Sequence, residues 1–480
     1  MIAVNLECVI TTKGKQGIAK GEGGPYYYRA RPEMVNVLLE AGVDIVTTAN
    51  NHAGDYGPEA LLQQNEFLKT IGLQQAGSGR NRLKALQPVY CSVKGINLAL
   101  FSIDTTQRHF AATDEVGGTA YFDPKKPKLL QQELAPLIRK AKRQVHVVLV
   151  AAHYGLNGSH EVTSENQALA YALIDAGADA VLGSSAHELQ AIEVYKNRPI
   201  IHDAGDLLFD AVQSKSRKGG IFQLTLCQQG VKAITFIPVA VGYGQTHELM
   251  GTVAEQASKD YGLLCSKLKT RLTINKKGHG YLALDVNTEK QATSFPYFKP
   301  PSKRKFNAAL MPELEGQWTV KRVPDEAVIS PIRFGPIQLL GVRVINQHLK
   351  KRQMIWVESF WTLKTKTQEN VRIDFQAVPL GKTTMRPWGR AMDHDPCDWL
   401  KPVSTWESGV VYRDFYGLRP PHLKEWDNGE LQLVVNVIAA QPLWQPVPLP
   451  IKIKLNHPAK ESLFDEKGDL IDTVHYPKNL

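Results

Sequence analysis

No run of about 18 or more apolar residues occurs anywhere in the 480-residue chain, so the sequence offers no membrane-spanning helix. Cysteine is sparse. Cys8, Cys91, Cys227, Cys265 and Cys397 lie far apart, an odd set with no CxxC pair. That excludes a disulfide framework, a zinc ribbon and a thioredoxin-like redox pair, and buried free thiols are expected. The first residues, MIAVNLECVITTKGKQG, lack the basic stretch and apolar core of an export signal, and the expectation is that a further segment precedes them. No basic stripe with interleaved aromatics occurs in the first 290 residues, which argues against nucleic acid as the partner. The net charge of +10 is dispersed and points instead to an acidic partner: an anionic polymer, a phosphate-bearing substrate or a membrane surface.

Tryptophan is absent before Trp318, and all eight tryptophans lie between Trp318 and Trp444. Sixteen of the 28 prolines fall after residue 310. The basic, proline-rich stretch SFPYFKPPSKRKFNAA between these compositions reads as an extended linker. The expected organisation is a domain over 1–290, a linker over 291–309 and a Trp-rich domain over 310–480.

In the first domain apolar strands alternate with helices. VDIVTT, INLALFSI, VHVVLVAAH and ADAVLGSSAH read as strands. PEALLQQNEFLKTIG reads as a helix with proline in its first turn. KKPKLLQQELAPLIRKAKRQ reads as a helix interrupted by Pro136, and SENQALAYALIDAGA as one capped by Ser164 and closed at Gly177. Later segments, from IEVYKNRPIIHDAGDLLFD through IFQLTLCQQG and VKAITFIPVAV, read as β-hairpins. After the linker, alternating strands and no long helix predict a β-sandwich.

Polar residues gather at the ends of these strands. Asn50, Asn51 and His52 follow VDIVTT, with Asp55 just beyond; His153 and His187 end two further strands, and Asp206 follows Gly205. Ligands of open α/β sheets sit outside the carboxyl ends of the strands, and imidazole with oxygen donors suits zinc, iron or manganese. A lone strand-end histidine is more commonly a hydrogen-bonded loop residue, and spacing alone goes no further than a metal-site candidate. Blander readings hold elsewhere. His202 and Asp203 read as a hydrogen-bonded strand end, GSGR as a turn, and His394 with Asp395 as ties across a turn. The loop GEGGPYYYRARP reads as a cover, with sugar stacking as the other reading.

Taken in order, NLE, EAGVDIVTTANNHAGDYGPEALLQ, GLQQAGSGRNRLKALQPVY, VVLVAAHYG and LIDAGADAVLGSSAHELQAIEVYKNRPIIHDAGDLLFD resemble the bacterial capsule-synthesis (CapA, poly-γ-glutamate synthesis) family. The resemblance implies an α+β fold: a four-layer αββα metallophosphoesterase-like sandwich, followed here by the β-sandwich domain. It implies metal ligation by Glu7, Asn51, His153 and His187, proton handling by His52, and substrate contacts from Asn50 and Asp55. It further implies a divalent cation (Mn, Zn or Fe), an anionic polymer or phosphate-linked intermediate as substrate, other envelope polymer synthesis proteins as partners, and a membrane-associated, extracytoplasmic place in the cell envelope. The function so implied is capsule or exopolymer biosynthesis, either as a hydrolase or as a non-catalytic binding factor.

The departures from the family pattern are specific. Its Gly-Asp strand, which would precede NLE, is not in this sequence, and its GHHPH element is Gly183 to His187, with Ser184 and Ser185 in place of two histidines. Asn157 stands near the place of a glutamate, and GNF has become Gly205, Asp206, Leu207. The metal site is therefore expected to be incomplete, with Asp206 or His160 as compensating ligands. A weaker resemblance, over MDHDPCDWLKPVSTWESGVVYRDFYGLRPPHLKEWDNGELQLVV, is to a β-sandwich module appended to bacterial envelope glycosyltransferases. Trp399, Trp406 and Trp426 would be core or edge rings in such a module, with sugar platforms as the other reading.

Overall fold

The computed structural model describes residues 1–15, 20, 26–209, 217–242, 244–286, 318–345, 348–349, 355–368, 371–380, 394–397, 400–418, 430–438 and 447–455. The expected linker, Trp399 and Trp426 fall outside them. The fold is α+β, with many sheets and few helices. Contacts divide the chain into two compact units: Met1–Val9 with Glu33–Gly54 and Leu61–Met311, and Ile10–Pro32 with Asp55–Ala60 and Pro312–Leu480.

The first unit is organised by a six-stranded sheet in the order Leu189–Tyr195, Arg198–Ala204, Ala180–Ser185, Val147–Tyr154, Ile96–Asp104, Val89–Val93. Its four inner strands run parallel and its two edge strands antiparallel. The near-continuous apolar runs of the inner strands follow from burial on both faces. Val148 and Val150 pack with Leu134 and Ile138 of the helix Pro127–Lys142 and with Leu173 of Ser164–Ala176. Val147 and Leu149, pointing the other way, join Ile45, Ala76, Ile234 and Phe236 in a second core. Ile45 and Ala76 come from a parallel three-stranded sheet, Ala3–Asn5, Ile45–Thr47 and Gln74–Ala76. Ile234 and Phe236 come from the hairpin Arg217–Cys227 and Gly230–Gly242.

Two local readings are corrected. The cap of the helix Ser164–Ala176 is Thr163, whose side chain accepts from the Asn166 amide, and not Ser164; its C-terminal Gly177 has φ +117°, as expected of a left-handed closing residue. The helix Gly251–Ser266 was not legible, because its buried stripe is built of Ala254, Ala257, Ser258, Tyr261 and Cys265, mostly small residues that give no apolar period. All five cysteines are free; Cys91, Cys265 and Cys397 are buried as expected, whereas Cys8 and Cys227 are half-buried. Among the described residues no helix is long and apolar enough to cross a membrane.

The second unit holds a five-stranded antiparallel sheet, Thr319–Val320, Val411–Leu418, Ile355–Leu363, Ile337–Val344 and Val328–Phe334 in that order. A four-stranded sheet contains Val447–Leu455, Glu430–Ile438 and Arg372–Pro379. Ile355, Val357 and Trp361 of the first share one core with Ile373, Phe375, Leu433 and Val435 of the second. Trp406 is 3% exposed and stacks on Tyr412 at 4.2 Å, so it is a core ring. His394 does tie its segment down. Its Nε2 lies 2.8 Å from Asp414, which also accepts the Cys397 amide at 2.7 Å. Asp395 pairs with Arg31 at 3.4 Å.

Asp104 ends the strand beside His153 and is fully buried. It accepts from the Thr106 amide and hydroxyl and from the Gln107 amide. Burial nevertheless outweighs these bonds and pushes its pKa up to about 6. The folded state therefore holds a proton that the unfolded state has already lost, and stability falls as pH rises between about 4 and about 6. Asp104→Asn cannot ionise. Relative to wild type it should gain up to about 3 kcal/mol across that window in urea unfolding; parallel stability curves for the two proteins would contradict this.

Candidate metal centre

Three chain segments meet at the carboxyl ends of the parallel strands. His153 is in register with Asp104 on one side and Ser184 on the other. Gly183, one residue earlier, lies so close to the neighbouring strand that a Cβ would stand 1.9 Å from the His202 carbonyl oxygen. Glycine is thus required where the strand bearing Ser184 and Ser185 passes. Beyond it the backbone turns through Ser185 at φ +112° and His187 at φ +57°, conformations that cost non-glycine residues energy.

His153 is 2% exposed. Its Nδ1 lies 3.0 Å from Ser184 Oγ and its Nε2 3.0 Å from Asn51 Oδ1. Burial, reinforced by the nearby rings of His187 and His52, holds its pKa well below the usual histidine range, so the ring is neutral and keeps a lone pair to donate. His187 differs. Burial opposes its charge, but the Asp206 carboxylate 2.8 Å from Nδ1, with Glu7 and Asp203 beyond, overrides burial and raises its pKa. Both Nε2 atoms face one oxygen: His153 Nε2 and His187 Nε2 each lie 3.8 Å from Glu7 Oε1.

Asn50 aligns the remaining members. It is fully buried, and its Nδ2 donates to Asn5 Oδ1 at 3.1 Å and to the Leu6 carbonyl at 2.9 Å. Its Oδ1 accepts the His52 amide at 3.0 Å, and Asn5 in turn donates to Glu7 Oε2 at 2.8 Å. This carboxamide, expected at the substrate, is engaged by the protein itself. Asp55, also expected there, lies in the second unit, buried in an ion pair with Lys20 at 2.6 Å and accepting the Tyr28 amide at 2.7 Å. His160 Nδ1 donates to the Leu189 carbonyl at 2.9 Å, and its Nε2 faces Glu188 at 3.7 Å; no described contact joins it to the cluster. His52 is 5% exposed and near enough to His153 to influence its charge.

Asp203 carries more than the strand-end role read from sequence. Its two oxygens accept the Ala186 amide at 2.7 Å and the Gly205 amide at 2.9 Å. One carboxylate thereby pins the residue before His187 and the residue before Asp206. A strained loop opposite an aspartate is the signal that could have revealed it, but the strain shows only in the backbone.

Among the described residues no three His, Cys, Asp or Glu side chains stand close enough to hold a metal ion as they are placed. The chemistry of the donors nevertheless fits one cation. Glu7, Asn51, His153 and His187 offer two imidazole nitrogens and two oxygens, a set suited to zinc, manganese or iron. Ligands about 2.1 Å from a tetrahedral ion are about 3.4 Å apart, so the 3.8 Å separations need to close by only a few tenths of an ångström. His187 anchored through Nδ1 on Asp206 has the carboxylate–histidine bracing usual for metal ligands.

The family model described as bacterial capsule synthesis protein PGA_cap matches residues 1–211. The capsule biosynthesis protein CapA of Bacillus anthracis is 26% identical over 281 residues, covering 57% of this chain and 67% of that protein. The PGA biosynthesis protein CapA of Bacillus subtilis is 28% identical over 218 residues, covering 45% of this chain and 55% of that protein. A probable polyglutamine synthesis accessory protein of Mycobacterium tuberculosis is 29% identical over 213 residues, covering 43% and 55%. The chain thus spans about two thirds of the first relative's length and just over half of the other two.

Asn50→Asp would place an oxygen against two acceptor oxygens and bury a charge. It should lower urea-unfolding stability at pH 8 by about 3 kcal/mol or more, beyond the loss in Asn50→Ala. A variant within about 0.5 kcal/mol of wild type, the ordinary scatter of neutral surface changes, would contradict the role given to this residue.

Proposed function

Residues 1–211 belong to the bacterial capsule synthesis protein PGA_cap family, and from that premise we propose that the chain is a CapA-like protein of capsule or exopolymer biosynthesis acting on an acidic polymer, poly-γ-glutamate or polysaccharide. The reading extends to a four-layer αββα metallophosphoesterase-like sandwich over 1–290, a linker over 291–309 and a β-sandwich accessory domain over 310–480, working in the cell envelope beside other polymer synthesis proteins. The observation that carries the site assignment is the convergence of His153 and His187 on Glu7, with His187 braced by Asp206.

One divalent cation (Mn, Zn or Fe) would be held by Glu7, Asn51, His153 and His187. When bound, it would neutralise an oxyanion of the substrate and acidify a water molecule. The chain's own residues would do the rest. Ser184, where the family pattern has histidine, hydrogen-bonds His153 Nδ1 and so fixes which ring nitrogen faces Asn51 and Glu7. Asp206 does the same for His187. His52, on the turn beside Asn51, would pass a proton to a departing oxygen. The reaction class is hydrolysis or transfer at a phosphate-like or acyl centre.

A second reading, a non-catalytic factor that binds polymer or the synthesis machinery, is favoured by Ser184 and Ser185, since a hydroxyl is a poor substitute for imidazole as a ligand. Calorimetric titration of the full chain with Mn²⁺ separates the two. The enzyme reading expects one site, with affinity lowered at least tenfold by His187→Ala and about tenfold by Asp206→Asn. Absence of any cation binding by the wild type would rule out the enzyme reading and leave the binding factor.

A further inference from the structure

The loop after Asp104 runs between two parts of the site. At its start, the Thr105 amide and hydroxyl both donate to the His153 carbonyl, at 3.0 and 3.3 Å. At its end, the buried ring of Phe110 lies under Gly54, two residues beyond His52, so close that a Cβ on Gly54 would stand 2.4 Å from the ring. The loop is held rigid between these ends. Asp104 binds Thr106 and Gln107, Gln107 is 2% exposed, and the Phe110 amide returns to the Gln107 carbonyl at 3.2 Å. Thr119 Oγ1 donates to the Phe110 carbonyl at 3.1 Å. Between the pinned residues stand Arg108 and His109, both exposed. Arg108 is three residues from Thr105, at most about 11 Å along the chain.

The cluster these residues border contains two carboxylates. Glu7 is partly exposed and faces the Nε2 atoms of His153 and His187 at 3.8 Å, and Asp206 holds the Nδ1 of His187 at 2.8 Å. An anionic substrate approaching Glu7 and Asp206 needs a fixed positive charge near by. A guanidinium is the side chain whose planar fork matches a carboxylate or phosphate, and one carried on a rigid loop binds with little loss of freedom.

We propose that Arg108, assisted by His109, forms an oxyanion-binding rim that seats a carboxylate or phosphate of the substrate next to the His153–Glu7–His187 cluster. This rests on the reading of the cluster as the place where an acidic polymer is handled, and it names a specificity residue that sequence spacing had not singled out. Polymer side chains and a phosphate group would use the same fork, so the probes must tell them apart.

Binding to the full chain without added metal can be followed for two probes, a fluorescent γ-linked glutamate oligomer and inorganic phosphate. Arg108→Glu is compared with Lys140→Glu, which makes the same charge change on the exposed face of the helix Pro127–Lys142. At least a tenfold loss for either probe with Arg108→Glu, a few-fold loss with His109→Ala, and no more than a twofold change with Lys140→Glu is expected. The affected probe identifies the oxyanion. Equal affinity in wild type and Arg108→Glu, or an equal loss with Lys140→Glu, would overturn the rim while leaving the cluster's reading intact. Failure of the wild type to bind either probe would overturn the acidic-substrate reading itself.

Discussion

A single buried carboxamide sets the geometry of the centre. Asn50 has no solvent to satisfy it, so each of its polar atoms must find a partner in the protein, and those partners are the Leu6 carbonyl, Asn5 and the His52 amide. Through Asn5 the constraint reaches Glu7, and through the turn it reaches Asn51, which meets His153. A strand of three residues, Ala3–Asn5, would otherwise have little to fix where its end points. The carboxamide converts that short strand into a rigid arm holding a carboxylate against two imidazoles.

The opposite side of the centre is fixed in another way. Parallel register places Ser184 beside His153, and strain places His187: Ser185 and His187 adopt left-handed backbone angles, and Asp203 holds the amides on either side of the His187–Asp206 pair. A conformation of this kind persists only where surrounding contacts over-determine it. Ser184, in register with His153, hydrogen-bonds its Nδ1 at 3.0 Å and so orients the ring.

Much of this was legible from residue order. Three inner strands of the six-stranded sheet, Ile96–Asp104, Val147–Tyr154 and Ala180–Ser185, announced themselves as apolar runs, because both faces are buried, and the ends of the last two located His153 and His187. Roles were harder to read than positions. Nothing in the sequence distinguishes an asparagine that faces a ligand from Asn50, which faces its own backbone. Asp55 likewise looked like part of the motif and proved to be half of a buried ion pair with Lys20. The helix Gly251–Ser266 hid behind a stripe of alanine, serine and cysteine, and the strand Val411–Leu418 behind its charged Arg413 and Asp414. In that strand the acidic residue is buried, and is satisfied by His394 and the Cys397 amide. Composition marks such a residue as exposed; only its partners make it a core member.

The central claim is that Glu7, Asn51, His153 and His187 form one cation site. X-ray absorption at the metal edge of the manganese- or zinc-loaded full chain reads the ligand shell directly. Two imidazole nitrogens among otherwise oxygen ligands are predicted, falling to one when His187 is replaced by alanine. A shell of oxygens alone, unchanged by that replacement, would contradict the account.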